Sequence, residues 1–271
     1  MSVQKDNTSI TVKTLTAMKQ RGEKIACLTA YDASFAAILD SAGVDVILVG
    51  DSLGMVIQGH HTTLPVTMDE MVYHTQAVAR GCRKALLMAD MPFLSYTTPA
   101  EALRNAGRFM KEASAQMVKL ESGTAQAEVI RVLADEGIPV CAHLGLRPQS
   151  VYKLGGYKVQ GRDPVAAESM LQEATAFVQA GADMILLECV PDDLAKRITN
   201  AVKVPVIGIG AGAACDGQVL VLYDILGITR GKQPKFTREY LAQAGSIDAA
   251  VQAYVSSVKT AAFPTTAHSF D

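Results

Sequence analysis

The chain lacks any apolar run long enough to span a bilayer. Its strongest runs, such as Val44–Val49, have the length of a strand, far below the roughly 20 residues of a spanning helix. It also lacks a Lys/Arg-rich stretch. Lys+Arg 25 against Asp+Glu 27 leaves a net charge of −2, without the basic footprint of a nucleic-acid binder. Cysteine is sparse and dispersed: Cys27, Cys82, Cys141, Cys189 and Cys215 form an odd set with no CxxC pair. That argues against a disulfide framework or a zinc knuckle and fits a reducing compartment. The opening MSVQKDNTSITVKTL (1–15) has no apolar h-region of a signal peptide. The expectation is a soluble, cytoplasmic protein with neither membrane nor nucleic acid as partner.

What is present is apolar and regular. With 271 residues, 49% of them hydrophobic, the chain can bury a large core, and its length suits two small domains or one (β/α)8 barrel of about 250 residues. Strand candidates recur end to end: 25–31, 44–50, 85–90, 117–121, 139–144, 184–190, 205–211 and a weaker eighth around 221–228. Most are apolar on both faces, as buried parallel strands are. Helical patterns over 33–42, 67–81, 99–113 and 164–180 lie between them, with Pro99 and Pro164 suited to first turns and Gly43 and Gly181 to helix ends. Alternation of this kind predicts an α/β fold with a parallel sheet.

The segment Ala42-Gly43-Val44-Asp45 echoes Ala180-Gly181-Ala182-Asp183, each a helix end running into a strand. No linker composition interrupts the pattern, so one domain is expected over 1–271, its first ten or so residues flexible. Helix-to-strand links are tight, whereas chain accumulates after the second strand (Ser52–Val66) and the fifth (Gly145–Asp163). In a barrel that excess would mark the C-terminal end of the strands, where active sites are built.

Polar residues stand where the apolar strands finish: Asp51 and Ser52, Asp90, Lys119 and Glu121, His143, and Glu188. For one strand-end Asp an N-cap is the ordinary explanation. Three acids on successive strands, Asp51, Asp90 and Glu121, would repel one another without a cation, and an all-oxygen set suits Mg²⁺ rather than zinc. Lys119 and Glu121 lie two apart in a strand and share a face. Lys119 reads as a clamp for a substrate carboxylate, a Schiff-base nucleophile, or a structural partner of Glu121. His143 at the rim suits a hydrogen bond to a substrate oxygen, while His60, His61 and His74 read as loop and helix residues. The run Gly208-Ile209-Gly210-Ala211-Gly212-Ala213 matches G-x-G-x-x-G/A after a strand, but not in the first βα turn that a dinucleotide fold requires. Close backbone approach to a ligand and tight internal packing both remain open for it. The Gly-rich loop 153–161, with Lys153, Tyr157 and Lys158, is a candidate lid over the active face.

Nine segments together carry a resemblance to a known family: TAYDASFA (29–36), VGDSLGMVIQGH (49–60), LPVTMDEMVYHT (64–75), ADMPF (89–93), MVKLE (117–121), HLGLRPQSV (143–151), GGYKVQGR (155–162), LECVP (187–191) and IGIGAG (207–212). They resemble the ketopantoate hydroxymethyltransferases from about residue 11 to Phe270. The resemblance implies a (β/α)8 TIM barrel of the phosphoenolpyruvate/pyruvate superfamily, a homo-oligomer (often a decamer), Mg²⁺, and 5,10-methylenetetrahydrofolate as one-carbon donor. It implies Asp51 and Asp90 as metal ligands, with Glu121 holding the metal directly or through water. Ser52 and Lys119 would contact the substrate carboxylate, and Glu188 would accept the proton. Two departures stand out: Glu112–Gln116 is one residue longer than the family's usual turn, and Glu121-Ser122-Gly123 replaces its E-G-G.

Overall fold

Strands apolar on both faces need a sheet covered on each side, and eight such strands here close on themselves so that each pairs with two neighbours. The computed structural model describes residues 9–229, 231 and 233–271; the expectation of a flexible start falls mainly on residues 1–8, outside that set. Strands β1 (Ile25–Thr29), β2 (Val46–Val49), β3 (Leu86–Asp90), β4 (Met117–Glu121), β5 (Val140–Gly145), β6 (Met184–Glu188), β7 (Val206–Ile209) and β8 (Gly217–Leu220) run parallel in chain order, and β8 pairs back to β1. Among the described residues, no helix is long and apolar enough to cross a membrane.

Local chemistry sets the helix boundaries. Pro99 and Pro164 occupy first turns behind Thr98 and Asp163, whose side chains accept backbone N–H groups of Glu101, Val165 and Ala166. Thr67 and Glu70 cap helix Met68–Gly81 reciprocally. The Ala-Gly-x-Asp echo is one device used twice. Gly43 and Gly181 leave their helices at positive φ, and the following Asp turns back to the preceding strand. The Ala26 N–H donates to Asp45 Oδ2 at 2.8 Å, and the Val140 N–H donates to Asp183 Oδ2 at 3.1 Å. The longer turn before β4 is absorbed locally. Ser114 ends its helix at φ 58°, and Gln116 pairs with both backbone groups of Leu87.

Two expectations are corrected between β7 and β8. The eighth strand is Gly217–Leu220, not 221–228; the apolar run that suggested it starts helix Leu222–Ile225 instead. Gly217 is a poor strand former, yet a Cβ there would lie 2.3 Å from the Ile25 carbonyl oxygen, so close strand approach overrides propensity. The crossover from β7 to β8 also has no helix: residues 210–216 make it. Its glycines are packed by the protein itself. A Cβ on Gly210 would meet Phe236 and Phe270, and one on Gly212 would meet Asp192 at 2.4 Å. Both have positive φ, so the Gly-rich run reports a cramped crossover and not a nucleotide cradle.

Candidate active site

Sheet register draws the strand-end residues together. Asp90 on β3 pairs with Lys119 on β4, Glu121 pairs with His143 on β5, and Gly145 pairs with Glu188 on β6. Partners in register project to the same side of a sheet, as do residues two apart, so Asp90, Lys119, Glu121 and His143 all face the barrel interior at its C-terminal mouth. Asp51 and Ser52 join them from the turn after β2, where the Asp51 N–H donates to Asp90 Oδ2 at 3.2 Å. Asp51, Asp90, Lys119 and Glu121 are each 3–6% exposed.

Lys119 forms an ion pair with Asp90, not with Glu121. Burial alone would lower the Lys119 pKa, but Asp90, Asp51 and Glu121 outweigh it and hold the ammonium above its ordinary value. That leaves Lys119 a cation suited to binding an anion and poorly suited to attacking a carbonyl. Its Nζ lies 3.4 Å from His143 Nδ1. An ammonium only donates, so Nδ1 is the acceptor and Nε2 carries the proton. Nε2 in turn lies 3.4 Å from Glu188 Oε2. Burial and the Lys119 charge push the His143 pKa well down, and the ring is neutral. Asp90, Lys119, His143 and Glu188 thus form one file across the four strands β3 to β6.

Negative charge is in excess here. Burial, followed by the neighbouring Asp90, pushes Asp51 up to about 7. Burial and Asp51 raise Glu121 well above the usual carboxylate range, and burial pushes Glu188 up to about 7. Four acids share one ammonium at this mouth, and a cation would relieve the repulsion. Among the described residues, no three His, Cys, Asp or Glu side chains are gathered about a common metal position. Lys119 engages Asp90, and both oxygens of Glu121 accept from the Gln149 backbone N–H at 3.0 and 3.1 Å. Adjacent Asp51 and Asp90 nevertheless form a hard-oxygen pair. Mg²⁺ is commonly held in this way, by one or two carboxylates while it keeps several waters. The residues fit the group.

Ser52 stands at the edge of this cluster, its hydroxyl 2.9 Å from the buried Tyr31 hydroxyl. The candidate lid reaches across the mouth, with the Tyr157 hydroxyl 3.7 Å from Met55 Sδ. Burial first, then the charges of Glu188 and Asp51, raise the Tyr157 pKa. The His74 ring bonds the Tyr31 carbonyl (2.8 Å) from helix Met68–Gly81, as a structural histidine does. Ser122, where the family pattern has glycine, donates to the Leu120 carbonyl at 3.1 Å and leaves β4 in register. Two participants escaped the sequence reading, Gln149 and Tyr96. Neither residue type announces a site, and only the folded loop 146–150 carries Gln149 to the carboxylates.

Comparison with known proteins agrees with this geometry. The family model described as Ketopantoate hydroxymethyltransferase matches residues 9–266. A protein from Alkalilimnicola ehrlichii named 3-methyl-2-oxobutanoate hydroxymethyltransferase is 59% identical over 96% of this chain and 94% of its own length. One of the same name from Marinobacter nauticus is 59% identical over 97% and 99%. Among solved structures, phosphoenolpyruvate phosphomutase from Streptomyces platensis subsp. rosaceus superposes with a TM-score of 0.61 at 16% identity, covering 80% of this chain and 83% of that one. A 2,3-dimethylmalate lyase, described as a PEP mutase/isocitrate lyase superfamily member, gives 0.57 at 17% identity over 77% and 80%. Those two likenesses establish the barrel type alone. The family match spans the whole barrel, and the chain belongs to the ketopantoate hydroxymethyltransferase family.

Proposed function

We propose that this chain transfers a hydroxymethyl group from 5,10-methylenetetrahydrofolate to 3-methyl-2-oxobutanoate, giving 2-dehydropantoate. The observation that carries the reading is the file Asp90–Lys119–His143–Glu188 beside Asp51 at a barrel mouth, in a chain 59% identical to enzymes named for this reaction. Asp51 and Asp90 would hold Mg²⁺, with Glu121 reached directly or through water. The cation would supply Lewis-acid polarisation of the substrate's keto group.

The protein's own groups do the rest. Lys119 and Ser52 bind the substrate carboxylate, the ammonium by charge and the hydroxyl by a hydrogen bond that Tyr31 orients. Glu188, basic for a carboxylate because it is buried, takes the proton from C3. Neutral His143 keeps its Nε2–H buried and, among the described residues, without a hydrogen-bond partner, 3.4 Å from Glu188 Oε2, and donates it to the substrate's keto oxygen beside the base. The C3–H electron pair, delocalised onto the keto oxygen, then forms the new C–C bond to the one-carbon unit of the folate. Water completes the hydroxymethyl group and tetrahydrofolate leaves. Tyr157 and its loop exclude bulk water during these steps. A homo-oligomer and a cytoplasmic setting accompany the reading. Lys119 as a Schiff-base nucleophile is disfavoured, because three carboxylates keep its ammonium protonated.

The test is folate-dependent formation of 2-dehydropantoate by purified protein, with and without Mg²⁺. Product that forms equally well in EDTA would overturn the metal role, and no product under either condition would overturn the assignment.

A further inference from the structure

Gln149 is buried at 6% exposure and uses both ends of its side-chain amide as well as its backbone N–H. Its side-chain N–H₂ donates to Asp51 Oδ2 at 2.8 Å and to the Met91 carbonyl at 3.0 Å. Its side-chain oxygen accepts from the Tyr96 hydroxyl at 2.6 Å. Its backbone N–H is shared between the two oxygens of Glu121. Two acceptors at one end of the amide and a donor at the other leave one satisfied orientation. A flipped amide would set its oxygen against both a carboxylate and a carbonyl.

Such a residue does chemical work although it touches no reacting atom. Asp51, in the turn after β2, and Glu121, the last residue of β4, lie 98 and 28 residues away in the chain, and the same residue holds both. We propose that Gln149 is a positioning residue for the divalent-cation site, fixing Asp51 through its side-chain amide and Glu121 through its backbone N–H, with Tyr96 locking the amide. The proposal rests on the metal reading given above. Losing a group that holds a ligating carboxylate in place typically costs about 10- to 100-fold in metal affinity.

The test is Mn²⁺ binding to the purified full-length protein without substrate, followed by electron paramagnetic resonance or calorimetry, with folding checked by circular dichroism. Gln149→Leu keeps the size and the backbone N–H but removes both ends of the amide, and should weaken Mn²⁺ binding about 10- to 100-fold. Tyr96→Phe keeps the amide and removes only its lock. It should weaken binding less than Gln149→Leu but measurably, and it covers the case in which the leucine variant fails to fold. Folded Tyr96→Phe protein that binds Mn²⁺ as tightly as the unsubstituted protein overturns the lock, and folded Gln149→Leu protein that does so overturns the whole proposal while the metal reading stands. Absence of Mn²⁺ binding by the unsubstituted protein overturns both together.

Discussion

The two ends of the barrel treat buried charge in opposite ways. At the N-terminal end the buried Asp40 and Asp45 and the half-buried Asp216 have partners of their own. Lys259 Nζ lies 2.6 Å from Asp45, which also accepts the Ala26 N–H. Lys19 Nζ lies 2.8 Å from Asp216, which accepts the Val206 N–H at 2.9 Å. Asp40 collects the N–H groups of Arg83, Lys84 and Ala85. At the C-terminal mouth Asp51, Asp90, Glu121 and Glu188 have one ammonium between them, that of Lys119 on Asp90, and the neutral Gln149 bonds Asp51 and Glu121. Acids with dedicated partners stabilise; acids in excess over their partners wait for a ligand. The bottom of the barrel is closed chemistry, and the mouth is open chemistry.

That contrast can be broken in several ways. The largest effect should come from the cation: EDTA treatment should abolish activity and added Mg²⁺ restore it, and full activity in EDTA would make the mouth's excess charge idle. Next is Glu188→Gln, which should slow exchange of the C3 proton of 3-methyl-2-oxobutanoate with solvent deuterium by about 100- to 10,000-fold, read by proton NMR. Exchange at the original rate would remove Glu188 as the base. The pH profile sharpens the same point. Burial pushes Glu188 up to about 7, and a base works ionised, so kcat should fall as pH drops through about 7. An ordinary carboxylate would keep it level to near pH 5. The smallest effect belongs to the closed end. Asp45→Ala leaves the Ala26 N–H and Lys259 without their acceptor and should cost about 1–3 kcal/mol of stability, read by denaturant unfolding, with kcat unchanged. A loss of activity in the folded variant would erase the distinction between the ends.

Much of the frame was legible because burial writes itself into composition. Strands apolar on both faces, Pro at first turns and Gly at helix ends located seven strands and the main helices to within a residue or two. The Ala-Gly-x-Asp echo was visible, and its purpose, an aspartate returning to the strand before it, needed coordinates. The eighth strand was misplaced because Gly217 sits in a strand for reasons of contact and not of propensity. The Gly-rich run after β7 looked like a ligand cradle because glycine answers to any close approach, whether of a ligand or of Phe236 and Phe270.

At the site, the acids and Lys119 could be singled out from the sequence because charged side chains at the ends of apolar strands are costly unless they have work to do. Which of them pair could not. Lys119 chose Asp90 over Glu121 because β3 and β4 set those two side by side in register. Gln149 stayed hidden because an amide carries no charge to betray its burial, and its partners lie far off in the chain. Sequence by itself determined the βα alternation, the family and the chemical types at the strand ends, all of which follow from local periodicity and residue identity. Only the closed barrel decided which acid meets which base, because register and loop path fix distances that spacing along a chain does not encode.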